Sequence, residues 1–257
     1  MSAPVIEVRG LTYAYPDGTR ALDDVSFCVG RGESLAIVGA NGAGKSTLLL
    51  HLNGSLLSER GEVIVNGTAV HKRTLREVRR AVGVVFQDPD DQLFMPVVRD
   101  DVAFGPVNMG LAPDEVERRV RGALERVGAL HLIGRPPYRL SAGEKRAVAI
   151  ASVLSMEPDI LVMDEPTSSL DPRGRRSLLG LLGSFGHTKI VAAHDLDFVL
   201  DLCARTIVLH RGRVLADGRT ADIFQNEALL EESRLERPLR MQGCPLHGKK
   251  KGRRARR

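Results

Sequence analysis

Nine consecutive residues constrain this 257-residue chain more than any others: Gly39-Ala40-Asn41-Gly42-Ala43-Gly44-Lys45-Ser46-Thr47. They follow directly on the apolar run Leu35–Val38 and lead into a second apolar stretch from Leu48. A strand that ends in G-x-x-x-x-G-K-S and turns into a helix is a phosphate cradle. The glycines let the backbone wrap closely enough for successive N–H groups to face phosphate oxygens. The helix start adds its positive dipole end. Lys45 is then expected to reach the β- and γ-phosphates, and the Ser46 hydroxyl to ligate Mg²⁺. Gly39, Asn41, Gly42, Ala43, Gly44 and Thr47 complete the expected contact set. An ordinary glycine-rich turn accounts for the glycines alone, but not for their place between a strand and a helix. The loop binds a nucleoside triphosphate.

The surrounding pattern gives the fold class. Short apolar runs at Val5–Val8, Leu35–Val38, Val63–Val65, Val82–Phe86, Ile160–Met163, Lys189–Ala193 and Thr206–Leu209 read as strands, several buried on both faces. Helical periodicity lies between them. Within Pro113–Val127, Val116, Val120, Leu124 and Val127 recur at spacings of four, four and three, with Pro113 suited to a helix start. Alternating strands and helices imply a largely parallel α/β sheet. Ile207–Leu209 and Arg213–Leu215 flank His210-Arg211-Gly212 as a hairpin. The stretch from about 88 to 155 interrupts the strand series and reads as an inserted helical subdomain. The sequence thus predicts one domain over 1–235 and a basic, disordered tail over 236–257.

Charge supports that division. Residues 236–257 hold nine of the 37 Lys and Arg against one Glu, so the remainder is mildly acidic with 28 basic and 31 acidic side chains. Such a tail suits anionic lipid or nucleic acid, or simply solvation. It also contains Cys244 and His247, two ligand types that fall short of the four a zinc site requires. No apolar run approaches the roughly 18 residues that cross a bilayer. The start, Met1 to Val5, lacks a signal peptide's basic and apolar regions. Three scattered cysteines suit a reducing compartment. These features predict a cytosolic chain.

A second constellation is Ile160-Leu161-Val162-Met163-Asp164-Glu165. An apolar strand ending in two carboxylates puts Asp164 at the C-terminal edge of the sheet, where α/β proteins bind ligands. Asp164 is expected to hold Mg²⁺ through water. Glu165 is expected to polarise the attacking water as general base. Such a pair is often no more than the start of a solvated loop; behind a phosphate loop it is a catalytic candidate.

The segment Leu140-Ser141-Ala142-Gly143-Glu144, opening a helix 23 residues before Asp164, decides among nucleotide machines. It resembles the signature segment of the ATP-binding-cassette (ABC) ATPases. Chemically it is another helix start with a hydroxyl and a glycine, hence a second anion site. The resemblance covers roughly residues 5–225. It implies a P-loop ATPase core, an antiparallel β subdomain and an inserted helical signature subdomain. It implies that Ser141, Gly143 and Glu144 face the γ-phosphate of ATP held by a second copy. Gln87 matches the Q-loop glutamine that senses Mg²⁺, and Asp171 in Ser169-Leu170-Asp171 matches the D-loop. His194 matches the switch histidine on the γ-phosphate. Tyr15 matches the aromatic that stacks on adenine, with Tyr13 a neighbouring candidate. Ala142 departs from the pattern by replacing a glycine; if the position needs positive φ, alanine costs about 1–2 kcal/mol.

Phe86-Gln87-Asp88-Pro89-Asp90-Asp91-Gln92-Leu93-Phe94, with Asp100–Pro106, further resembles the ATPases of energy-coupling-factor importers. Pro172-Arg173-Gly174-Arg175-Arg176, His187-Thr188-Lys189 and His194-Asp195-Leu196 are similar to the cobalt/nickel branch. This resemblance implies an ATP- and Mg²⁺-dependent homodimer. Its partners would be a transmembrane coupling protein and a substrate-binding membrane subunit, met at the cytoplasmic face of the membrane, with no nucleic acid. Alternatives are a vitamin-type importer ATPase and a soluble ABC ATPase acting on nucleic acid through the tail.

Overall fold

The computed structural model describes residues 3–58 and 60–242. Two sheets organise it. The first joins β1 (Ile6–Ala14), β2 (Arg20–Val29), β4 (Arg60–Val65) and β5 (Thr68–Ala69) in the order β2-β1-β4-β5, all antiparallel. The second joins β3 (Ser34–Val38), β6 (Val82–Val85), β7 (Ile160–Asp164), β8 (Thr188–Ala192), β9 (Arg205–His210) and β10 (Arg213–Arg219) in the order β10-β9-β3-β8-β7-β6. Only the β9–β10 pair in it is antiparallel, turning through Arg211 and Gly212, both at positive φ. Each of the seven apolar runs overlaps a strand. Two of them, in β1 and β4, pair outside the parallel sheet.

The parallel strands divide the interior into two cores. Ala36 and Val38 of β3 face one core, Leu35 and Ile37 the other, as a period of two requires. Helix α1 (Lys45–Leu52) fills the second core, its Leu48, Leu49 and Leu52 buried with the apolar face of the antiparallel sheet. Each such leucine contributes roughly 1.5–3 kcal/mol by leaving water. α2 (Leu75–Ala81) precedes β6. Between β6 and β7 lie α3 (Val98–Asn108), α4 (Pro113–Arg126) and α5 (Ala142–Leu154), packed on one another. Pro113 stands in the first turn of α4, which buries Val116, Val120 and Leu124. α6 (Pro172–Gly183) and α7 (Leu196–Leu202) flank β8 in sequence, and α8 (Thr220–Gln225) and α9 (Glu227–Glu232) follow β10.

Structure continues past the expected boundary at 235. Arg240 donates to Asp197 Oδ1 at 3.0 Å and to Asp201 Oδ2 at 2.6 Å, fixing residues 236–242 against α7. Carboxylates on α7 thus neutralise Arg240, and Glu227 of α9 meets Arg237, in what the sequence reads as a solvated tail. Cys244 and His247 lie outside the described residues. β2 escaped the sequence reading because Asp23-Asp24 breaks its alternation; Asp24 sits at φ 57 where the register with β1 shifts.

Candidate active site

The phosphate loop takes its shape from backbone crowding. Gly44 holds φ 104, and a Cβ there would stand 2.4 Å from the Ala21 carbonyl oxygen. At Gly39 a Cβ would meet Leu209 O at 2.2 Å. No side chain fits at either position, so the loop lies tight against β2 and β9. Gly44 delivers the chain into α1, and the loop rims a cleft of about 710 Å³.

Residues from five places converge on this cleft. The loop supplies Asn41 through Thr47; β6 leads to Gln87, β7 ends at Asp164 and Glu165, and β8 leads to His194. Tyr15, from the turn between β1 and β2, closes the far side and shares a hydrogen bond of 2.9 Å with Thr47 Oγ1. Tyr13 packs edge-on against Tyr15 and His51 instead, away from the cleft. Of the two tyrosines, Tyr15 is the one that borders the cleft. Thr19, Arg20, Thr167 and Ser168 also line the cleft. The sequence reading passed over them, since they are polar loop residues with no motif of their own.

Charge in the cleft is tightly balanced. Lys45, 7% exposed, donates to Gly39 O at 2.9 Å and Ala40 O at 3.3 Å. Its Nζ lies 3.2 Å from His194 Nε2. Nε2 thus stands between an ammonium and a carboxylate: one neutral tautomer accepts from Lys45, the other donates to Glu165. Burial and the adjacent Lys45 charge both lower the His194 pKa. Burial likewise lowers that of Lys45, against the pull of Glu165 and Asp164. Glu165 Oε2 accepts from the His194 backbone N–H at 3.0 Å, while Oε1 lies 3.2 Å from His194 Nε2. Burial raises the Glu165 pKa, which this backbone bond and Lys45 only partly offset. Glu165 also stands at φ 44 and Ser169 at φ 63, backbone strain at the cleft-side end of β7. A carboxyl shifted up beside an imidazole shifted down makes this edge a candidate acid–base site.

Asp164 Oδ1 is buried without a hydrogen-bond partner. The Ser46 hydroxyl is exposed and the Gln87 amide stands at the rim. A set of hard oxygen donors with one unsatisfied carboxylate oxygen fits Mg²⁺. Among the described residues no group of three or more His, Cys, Asp or Glu is arranged to hold a metal.

The signature residues stand apart. None of Ser141, Gly143, Glu144 or Asp171 borders the cleft. Ser141 caps α5 through a reciprocal pair: its Oγ accepts from Glu144 N at 3.3 Å, and Glu144 Oε2 accepts from Ser141 N at 2.8 Å. The Ser141 N–H and hydroxyl lower the Glu144 pKa. Asp171 likewise caps α6, accepting from Gly174 N at 2.6 Å. Ala142 is the first helical residue of α5 and is not at positive φ. The penalty considered for alanine does not arise. Ala142→Gly is expected to lower stability by up to about 1 kcal/mol, the helix-propensity difference, measured by denaturant unfolding; a gain in stability would contradict the helical assignment.

The ABC transporter family pattern matches residues 22–168. An ABC transporter ATP-binding protein of Geobacter sulfurreducens is 66% identical over 249 residues, spanning 97% of this chain and 100% of that protein. The energy-coupling factor transporter ATP-binding protein EcfA of Carboxydothermus hydrogenoformans is 49% identical over 91% of this chain and 87% of its own. Among solved structures, CbiO1 of Clostridium perfringens, described as part of the transporter complex CbiONQ, superposes with a TM-score of 0.79 at 40% identity. That match covers 90% of this chain and 94% of that one.

Proposed function

We propose, from the premise that this chain belongs to the ABC transporter ATP-binding proteins of the energy-coupling-factor type, that two copies sandwich two ATP molecules and drive uptake of cobalt or nickel ions through membrane partners. One observation carries the dimer: the cleft gathers Lys45, Ser46, Gln87, Asp164, Glu165 and His194 but none of the capped signature helix. That helix start, with Gly143 open to solvent, is free to face the triphosphate of a second copy.

The chemistry follows from the cleft. Lys45 turns from its own loop carbonyls to the β- and γ-phosphates. Ser46, Gln87 and Asp164 would hold Mg²⁺, which neutralises phosphate charge when bound. Glu165 takes a proton from the attacking water as its oxygen bonds to the γ-phosphorus. The bond from that phosphorus to the β-phosphate oxygen breaks, and ADP and phosphate leave. His194, released from Lys45, donates to the γ-phosphoryl oxygen. Partner Ser141 and Gly143 complete the donor set in the charge-developing state.

Coupling to a membrane partner is assigned to an apolar patch beyond the Q-loop. Phe94 and Phe104 stack edge to face at 5.0 Å, and with Val107 they are 44–61% exposed. The patch is held rigid: buried Asp101 accepts from Phe94 N at 2.9 Å and Met95 N at 3.0 Å. Contiguous exposed aromatics mark an interaction site. Phe104→Ser is expected to lose co-purification with the membrane subunits while the isolated chain hydrolyses ATP within about twofold of the parent rate, since Phe104 touches no cleft residue. Retained co-purification would move the contact elsewhere. No helix among the described residues is long and apolar enough to cross a membrane.

The cobalt or nickel assignment rests on the sequence likeness of Pro172–Arg176, His187–Lys189 and His194–Leu196 to that branch. It is tested by uptake of labelled cobalt, nickel and vitamins into cells carrying the chain with its membrane subunits. Metal uptake abolished by Lys45→Met supports it. Vitamin uptake alone would transfer the chain to the vitamin branch.

A further inference from the structure

We infer that Arg146 is a positioning residue joining the two ATP sites of the dimer, because it fixes the Q-loop of one site to the helix whose start caps the other. The inference rests on the reading that Ser141 and Gly143 act on the partner copy's nucleotide. Arg146 lies in the second turn of α5 and is 3% exposed. Its Nη1 donates to Phe86 O at 2.8 Å and its Nη2 to Gln87 O at 2.6 Å. Its Nε is buried without a partner. Among the described residues no carboxylate forms an ion pair with it. A guanidinium buried against two carbonyls, with one donor left over, is a costly choice where an apolar side chain of similar length would pack.

What the guanidinium supplies is geometry. Its planar fork holds two successive carbonyls at once, which a point charge on a flexible stem does less well. That fixes the peptide planes on either side of Gln87 and hence the direction of its side chain. Two further ties run in parallel. Lys145 Nζ meets Asp90 Oδ1 at 2.6 Å. Gln92 Nε2 donates to Ala149 O at 2.7 Å and Ser152 Oγ at 2.9 Å, while its Oε1 accepts from Phe86 N at 3.1 Å. Residues 86–92 and α5 are therefore stitched into one body. The same helix begins at Ser141, Ala142 and Gly143. Any shift of α5 as its start engages phosphate in one site moves Gln87 in the other. Binding at either site is thereby coupled to the donor arrangement at both.

Three proteins test this: the parent chain, Arg146→Met, which keeps length but loses the fork, and Arg146→Lys, which keeps a donor. ATP hydrolysis is followed against ATP concentration, and affinity for fluorescent Mg-ADP is measured on the monomer. The parent is expected to be cooperative, with a Hill coefficient between about 1 and 2 for two sites. Arg146→Met is expected to bring that coefficient to about 1 and to lower kcat by about tenfold or more, with Mg-ADP affinity unchanged within about twofold. Arg146→Lys is expected to recover part of both losses. Undiminished cooperativity in Arg146→Met, or a parent that is not cooperative, would overturn the inference. So would loss of Mg-ADP affinity in both variants, which marks a merely structural role. Failure of Glu165→Gln alone to dimerise on ATP would instead remove the underlying trans reading.

Discussion

Glu165→Gln is expected to halt turnover while leaving ATP bound. Glu165 is the carboxylate at the end of β7, and its Oε2 is held by the His194 backbone N–H, so the residue points into the cleft rather than away from it. Removing a general base costs about 10²–10⁴ in rate. The glutamine amide keeps the shape and one acceptor oxygen, so the phosphate contacts from Lys45 and the loop stay in place. Single-turnover hydrolysis and nucleotide-retention measurements check this; normal turnover would dismiss Glu165 as the base. A second consequence concerns stability. Burial raises the Glu165 pKa, so its folded value lies above its unfolded one. Its contribution to stability is fully present below the unfolded pKa and is lost as pH rises through the folded pKa. An amide in its place does not titrate and has no such loss. The nucleotide-free variant should therefore melt at a higher temperature than the parent at neutral pH. That gap should close as pH falls through the folded pKa of Glu165, and a variant no more stable at neutral pH would contradict the burial argument.

Lys45→Met is expected to weaken nucleotide binding severely. Two charge-assisted hydrogen bonds to phosphate contribute about 3 kcal/mol or more together, so affinity for Mg-ATP falls by about a hundredfold or more. The fold should survive. In the nucleotide-free chain Lys45 is buried against two loop carbonyls and burial already disfavours its charge. A flexible apolar side chain of similar length removes that cost. Calorimetric titration with Mg-ATP against a melting curve separates the two effects. Near-parent affinity would mean that Lys45 stays with Gly39 O and His194 when nucleotide is bound.

Much of this site is carried by local sequence. Gly39 through Thr47 and Ile160 through Glu165 announce themselves because strand, turn and helix signals coincide with residues that border the cleft. The antiparallel sheet is harder to read. β2 carries Asp23-Asp24 at a register shift, and β5 is only two residues long, so neither shows a clean period of two. Arg146 is a different kind of omission. It lies on the same helical stripe as buried Ile150 and Val153, and a charged residue on an apolar stripe is a visible anomaly. Its partners, however, are carbonyls about 60 positions away, and carbonyls have no sequence signature. The clamp of Arg240 on Asp197 and Asp201 is hidden for the same reason: a basic tail looks solvated until the acids it meets are known.

Hydrolysis as proposed needs a triphosphate gripped from both sides, by the loop of one copy and the signature helix of another. Sedimentation of Glu165→Gln, alone and with its membrane subunits, reads this directly. With saturating Mg-ATP the chain should travel at about twice its 28.0 kDa, and with Mg-ADP as a single copy. A species that remains monomeric under Mg-ATP in both settings would contradict it.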